Sequence, residues 1–553
     1  MKNKSLKYSF LLFLLLIGAS CDESILDVKN PNNVTIGDMT QEGAFLSWAN
    51  GAVYFNGFNG LGFNTATLDA KYVGSNYLGD SFWYAAMQYH ELMSDVVGVS
   101  AANLLANQVG VPDEVVFSDG TKATNTAPVK SILRTNNSRQ KAGLNPFYYE
   151  WTYMYMMNNA CNGLLENVNA VTFAGDATTR AATVKAWVYW WKGWAYSRIG
   201  SLYYAGLIAD KFNETNGNYV SHDDIITEAN RNFDLAISSL GAVTSDEDYQ
   251  AVLGTLIPEF CQVGKGGILS IAEWQRNINT MKARNLLANK RTKDMTGQDW
   301  NTILTLTNNG IGLTDLVFTG RSRDTNFFFS SLTGSVAAST VTNAQTFWPT
   351  ERYMQEFDKV NDKRWENNFS TRSTVKVDNG GTIIYGARYY MEDGGNGDPD
   401  VIVFGSRTTG EYELFLAGSY EENELMKAEA LINLADLTSG LQSIDNVREY
   451  QGAGMAALSG VVTDPIEAKE LLRKERRIAL TFRGVSFYDY RRVGFLDPVS
   501  QGGGRKNAVV VRSATQVDNN ATINYNFLDY WDVPDDEIAL NPNVGSTITK
   551  NPN

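Results

Sequence analysis

The stretch Lys474-Glu475-Arg476-Arg477-Ile478-Ala479-Leu480-Thr481-Phe482-Arg483-Gly484, continued by Phe487-Tyr488-Asp489-Tyr490-Arg491-Arg492-Val493-Gly494, decides how the rest of the chain reads. Upstream of it, Asp464, Pro465 and Glu467 supply a capping acceptor, a first-position proline whose fixed φ suits a helix start, and an acid in the first turn. From there Leu471, Leu472, Ile478, Ala479 and Phe482 fall at helical spacing, which predicts a helix ending near Gly484 with these residues on its buried stripe.

The same periodicity recurs on both sides. In Lys185 to Arg198, Trp187, Trp190, Trp191 and Trp194 stand at i, i+3, i+4 and i+7 and put four indoles on one core-facing stripe. From Ser221 to Leu240, Ile225, Ala229, Phe233, Ala236 and Leu240 make a second stripe, with Gly241 available as a left-handed stop. Ser419 and Glu422 form a capping box before Leu425, Ala428, Leu431, Ile432 and Ala435. Between the helices lie Gly-, Asn- and Thr-rich stretches at roughly 100–145, 300–348, 370–412 and 500–530. Short alternating runs in them, Thr382-Ile383-Ile384-Tyr385 and Asn507 to Arg512, read as small hairpins. The class is mainly α with long irregular insertions, and such loops usually carry function.

The chain opens with Lys2, Lys4 and Lys7, an apolar run from Phe10 to Ile17, and Gly18-Ala19-Ser20-Cys21. A charged start, a short apolar middle and small residues before a cut read as a secretory signal over residues 1–20. The run is too short to span a bilayer core of roughly 30 Å. A signal that ends on Cys21 points to a lipid-modified cysteine, the alternative being ordinary secretion; the leucine usual three places before the cysteine is absent. Asp22 and Glu23 resemble an export signal to the outer face of an outer membrane. No later stretch has the length of apolar residues that a membrane helix needs, so the lipid on Cys21 is the expected attachment. Without its three lysines the chain carries 44 basic against 61 acidic residues, a net of −17. That charge repels phosphate backbones and argues against nucleic acid as partner. Of the other cysteines, Cys161 and Cys261, one lies in a helical pattern, which favours buried thiols over a bridge. The remaining 21–553 shows no linker, low-complexity block or repeat and reads as a single domain.

Chemistry-bearing motifs are scarce. The two histidines, His90 and His222, lack the HExxH spacing even though Glu91 follows His90. There is no nucleophile elbow, phosphate loop or CxxC. The acidic run Asp393 to Asp400 lacks the calcium-loop spacing and reads as a solvated turn, so no metal or cofactor is expected. Aromatic residues make up 12% of the chain, and the rings placed in polar loops can stack on the apolar face of a sugar. These are Trp83 and Tyr84; Phe327, Phe328 and Phe329; Trp348; Tyr389 and Tyr390.

The quoted stretch resembles the signature of the SusD/RagB family of outer-membrane nutrient-binding lipoproteins, roughly ER-x-x-EL-x-FEG-x-R-x-x-DL-x-R-x-G. Glu475, Arg476, Leu480, Phe482, Gly484, Asp489, Arg492 and Gly494 match; Ala479, Arg483 and Ser486 depart. Other landmarks follow in family order: Trp151, Tyr155 and Asn162; the aromatic helix Lys185 to Gly200; Met426-Lys427-Ala428-Glu429-Ala430, followed by Ile444, Asn446, Val447 and Arg448; and Val533-Pro534-Asp535-Asp536-Glu537-Ile538 with Asn541-Pro542-Asn543. The resemblance implies tetratricopeptide-like helix pairs beneath a loop-rich ligand face, drawn from about 75–115 and 300–412. Its acid–arginine pairs would tie helices together. It also implies a lipid-anchored protein facing the cell exterior, which captures an oligosaccharide or peptide and delivers it to a SusC-like TonB-dependent transporter without breaking a bond. The chosen ligand rings are Trp83, Phe328 and Trp348. The competing expectations are a surface glycoside hydrolase and a purely structural lid.

Overall fold

The computed structural model describes residues 40–58, 88–99, 109–141, 145–321, 347–377, 383, 386–392, 394–404 and 413–553. The long helices are α1 (Glu42–Tyr54), α2 (Pro146–Asn167), α3 (Ala177–Leu202), α4 (His222–Leu240), α5 (Asp246–Leu256), α6 (Ile271–Ala288), α7 (Gly297–Asn308), α8 (Tyr420–Asn433), α9 (Leu437–Tyr450) and α10 (Pro465–Ala479), and the short α11 (Ser486–Arg492) completes the signature. The architecture is mainly α, as read from the sequence.

Local chemistry accounts for many of the helix starts. Asp176 caps α3, Asp464 caps α10 ahead of Pro465, and Ser419 accepts from the Glu422 amide at the start of α8. Ser221, Ser270 and Thr296 each form a reciprocal capping box with an acid three residues on. Gly241 departs from expectation: its φ of −65° is right-handed. The signature helix ends at Ala479, where Phe482 (φ 58°) and Gly484 (φ 69°) turn the chain back.

Consecutive helices pack in pairs, α3 on α4 and α8 on α9, with α2 against α3 and α8 against α10. The α3–α4 contact is close. A Cβ on Gly193 would lie 2.6 Å from the Phe233 ring and 3.1 Å from the Ala229 carbonyl, so only glycine fits. The four tryptophans of α3 are fully buried. Their rings meet Phe58, Phe233, Trp274 and Phe318 at centroid distances of 5.0 to 6.5 Å. Trp187 and Trp194 donate to the carbonyls of Ala49 (3.1 Å) and Leu416 (2.8 Å), which satisfies two of the buried indoles. A smaller cluster of Leu287, Trp300, Ile303, Met426 and Ala430 joins α6, α7 and α8.

The stretches expected to be irregular carry a sheet instead. Strands β1 (Glu114–Val116), β2 (Lys122–Thr124), β3 (Phe369–Val377), β4 (Gly386–Met391), β5 (Arg505–Ser513) and β6 (Gln516–Asn524) pair in the order β2-β1-β6-β5-β4-β3, antiparallel throughout. The hairpin expected at Asn507 to Arg512 is therefore the middle of a six-stranded sheet. Of the run Thr382 to Tyr385, only Ile383 lies within the described residues, as a buried bend. The α7 helix likewise occupies part of the 300–348 stretch.

The family-like landmarks are ties between distant segments. The Trp151 indole donates to Glu537 (3.0 Å), the Tyr155 hydroxyl to the Leu207 carbonyl (3.0 Å), and the Asn162 amide to the Ala209 carbonyl (2.8 Å). In the signature, Glu475 accepts from Arg364 and Arg448, Arg476 grips Asp489, and Arg492 spans Asp489 and Glu429. Arg477 donates to the Ser94 and Asp95 carbonyls. Cys161 and Cys261 are buried free thiols, and burial pushes Cys161 up to about 12. His90 is fully buried against Phe487, Tyr488 and Trp531, while His222 stacks on Tyr530 at 4.1 Å.

Candidate ligand-binding site

Cys21, Trp83 and Phe328 lie outside the described residues. What the structure does place is the root of both expected ligand loops. Strand Val97–Val99 pairs antiparallel with strand Phe347–Pro349, with Val99 opposite Phe347. Val99 directly precedes residues 100–108 and Phe347 directly follows residues 322–346, so the chain on one side of each expected loop meets in one strand pair.

Trp348 sits in that pair and is 1% exposed. Its indole lies against Gly98, where an added Cβ would approach Nε1 to 2.9 Å. The Lys376 ammonium lies 5.5 Å from its ring centre. Expected as an open loop ring, Trp348 is instead a packed core residue anchoring the loop root. Tyr390 is also buried, under the Arg372 guanidinium at 3.8 Å.

Next to this root are two partly exposed rings. Asp362 caps the short helix Lys363–Asn368 and so presents Trp365; β4 supplies Tyr389. The Trp365 and Tyr389 rings meet edge to face at 5.0 Å and 88°, and Trp365 is backed by Phe369, stacked at 5.5 Å and 19°. The Lys359 ammonium sits over both rings, at 5.3 and 5.5 Å, and donates to the Met354 carbonyl. Arg388 covers the far side of Tyr389 at 5.5 Å and is held bidentate by buried Glu351. Burial raises the Tyr389 hydroxyl and lowers the Lys359 ammonium from their usual ranges. The acidic turn 394–400 is docked on the same short helix, where the Asn396 amide donates to the Glu366 carbonyl and its N–H to Asn367. Two supported, partly exposed rings offer their edges to the apolar surface of a sugar, and the amide, ammonium and guanidinium groups around them can take its hydroxyls. Tyr389 was legible as a ring in a polar run. Trp365 was missed because Lys363-Arg364-Trp365-Glu366 gives no periodic signal; a lone ring flanked by charges after a capping aspartate is the clue it offered.

The model of the SusD family matches residues 420–553, which hold α8 to α11 and the closing Val533 to Asn543 element. Residues 420–553 match the SusD family. No curated protein matches the chain in sequence. The SusD-like fold extends over nearly the whole chain. A SusD-like carbohydrate-binding protein from Bacteroides vulgatus superposes with a TM-score of 0.53 at 13% identity, covering 92% of this chain and 98% of that one. A structure solved with a xylogluco-oligosaccharide superposes with a TM-score of 0.50 at 12% identity, covering 87% of this chain and 99% of that one. At such low identity the likeness is one of fold. Among the described residues no helix is long and apolar enough to cross a membrane.

Proposed function

We propose that the protein is a cell-surface glycan-binding lipoprotein that captures oligosaccharides and passes them to a SusC-like TonB-dependent outer-membrane transporter. The observation that carries this reading is the Trp365–Tyr389 pair beside the joined loop roots, on a fold shared with carbohydrate-binding proteins. In it, residues 1–20 are removed as a signal, Cys21 carries lipid at the outer membrane, and 21–553 works as a single body. Trp83 and Phe328 are further candidate ligand contacts, and Trp348 would hold the strand pair at the loop root.

The alternative, a surface glycoside hydrolase, needs a carboxyl of raised pKa open to substrate. The carboxyls with raised values among the described residues are Glu91, at about 7, and Asp532, and burial raises both because they sit in the core. The aromatic pair, on a fold shared with carbohydrate-binding proteins, favours binding.

Affinity electrophoresis or calorimetry against a glycan panel tests it. Trp365→Ala and Tyr389→Ala each weaken binding of the responsive glycan roughly tenfold, the scale of a central aromatic contact. Retained affinity in both variants moves the site elsewhere, and silence of the wild type across the panel removes the binding role. The anchor has its own check: labelled palmitate enters the wild-type protein in cells and is absent from Cys21→Ala. Label in that variant would refute the anchor.

A further inference from the structure

A cavity of about 320 Å³ opens between α10, α11 and the end of α8, and shares no residue with the aromatic pair described above. Its charged lining comprises Lys469, Arg473, Arg476, Arg477 and Arg492 against Glu429, Glu470 and Asp489. That is an excess of two positive charges on a chain whose net charge is −14. Counting the ion-paired neighbours does not remove the excess, because Glu356, held by Arg473, is matched by Arg505, and Lys474 beside Glu470 adds a further positive charge. One carboxylate therefore serves three guanidiniums: Glu356 lies 2.7 Å from Arg473, 2.6 Å from Arg505 and 3.7 Å from Arg477. Burial pushes its carboxyl up, yet Arg505, Arg473 and Arg477 hold it at about 2, which reports a strongly positive surrounding.

The cations are not all used up. Arg476 is 5% exposed, and its Nη1 has no hydrogen-bond partner among the described residues, although Nε and Nη2 both hold Asp489. Lys469 stands exposed at the mouth and forms no ion pair among the described residues. The uncharged lining is mixed: Thr292, Asn433 and Ser486 are polar, while Leu472, Tyr490 and Phe495 give apolar walls, with Ile466 (79% exposed) and Val493 (36%) at the rim. Buried guanidiniums on a shared carboxylate are costly unless further negative charge approaches. Exposed aliphatic groups around a concave mouth are the usual surroundings of a small ligand, and the volume is at the lower end for such sites.

From this juxtaposition we propose that the cavity is a binding site for a small organic carboxylate, its acid group set toward Lys469 and the Arg476–Arg492 side and its carbon body against Leu472, Val493 and Phe495. The site is separate from the glycan surface and stands or falls independently of it.

The experiment is calorimetry on the full mature chain with glucuronate and benzoate, and with glucose and benzyl alcohol as their neutral counterparts. The carboxylates bind and the neutral compounds do not. Arg476 also holds α10 to α11, so it is left intact. Lys469→Glu reverses the charge at the mouth and weakens carboxylate binding about tenfold. Val493→Trp fills the rim and abolishes it, while the Trp365→Ala variant binds the carboxylates as the wild type does. Binding of neutral and acidic probes alike, equal competition by chloride, wild-type affinity in both rim variants, or no heat with any probe would each overturn the proposal.

Discussion

Replacing Glu475 with alanine lowers the unfolding free energy by about 3–5 kcal/mol, the cost of breaking a buried ion pair by removing one partner. Glu475 is completely buried, as is Arg364, which donates to it at 2.5 and 3.3 Å, and Arg448 adds a third bond at 2.8 Å. Burial alone would raise this carboxyl, but the Arg364 and Arg448 charges hold it below its usual range. Losing it leaves Arg448 without its carboxylate and Arg364 with Asp362 and Gln451 only. The bonds it loses join α10 to α9 and to the short helix that carries Trp365, so stability and the aromatic pair fall together. Glu470→Ala, one turn away, is the control. Its side chain is 50% exposed, and Arg473 keeps Glu356 without it, so the loss stays within about 1 kcal/mol. Urea midpoints at unchanged m-value give both numbers. A Glu475→Ala cost no larger than that of Glu470→Ala would mean that the pair does not hold the helices.

What could be read from the sequence depended on whether the signal is local. The signature helix, the tryptophan stripe of α3 and the caps at Ser419 and Asp464 are written within a few turns, and each is found in the structure, although Glu422 pairs with Arg284 and does not close the expected box with Ser419. The sheet is not local. Its strands come from 114–124, 369–391 and 505–524, and register shifts at Arg505/Ala508, Ala508/Val510 and Val511/Ser513 interrupt the alternation a strand would show. Bulges of this kind hide period-two patterning. Helix α7 was hidden by composition: its stripe of Trp300, Ile303 and Thr307 is spread among Asn and Thr residues. At the ligand face, a ring in a polar run looks the same whether open, like Tyr389, or sealed, like Trp348. Only the partner across the strand pair, Gly98, distinguishes the two, and that partner is about 250 residues away.

The departure at Ser486 leads to a second large effect. Its hydroxyl donates to Glu91 at 3.1 Å, and Glu91 is fully buried with Oε1 unpartnered among the described residues. Burial is the main cause that raises this carboxyl from 4.5 to about 7; Ser486, the Arg477 charge and the Gly484 backbone oppose it only in part. A folded-state value above the unfolded one means that the folded protein holds the proton more tightly. The stabilisation is thus complete below about pH 4.5 and is lost as pH rises to about 7, where the folded state also releases the proton. The loss amounts to roughly 3 kcal/mol, since each pKa unit is worth about 1.4. His90, the adjacent residue, acts in the opposite sense. Burial and the charges of Arg198 and Arg491 push its imidazole well below the usual range, so it costs stability as pH falls through the ordinary histidine value. The two slopes oppose each other in wild type, and the variant must separate them. Glu91→Gln keeps the neutral shape and the Ser486 contact while leaving His90 untouched. Its unfolding free energy relative to wild type therefore rises by about 3 kcal/mol between roughly pH 4.5 and pH 8. His90→Phe removes the opposing slope and leaves the Glu91 loss visible on its own. Chemical denaturation of the three proteins across that range provides the check: a wild-type minus Glu91→Gln difference that stays flat with pH would show that Glu91 is ionised in the fold throughout.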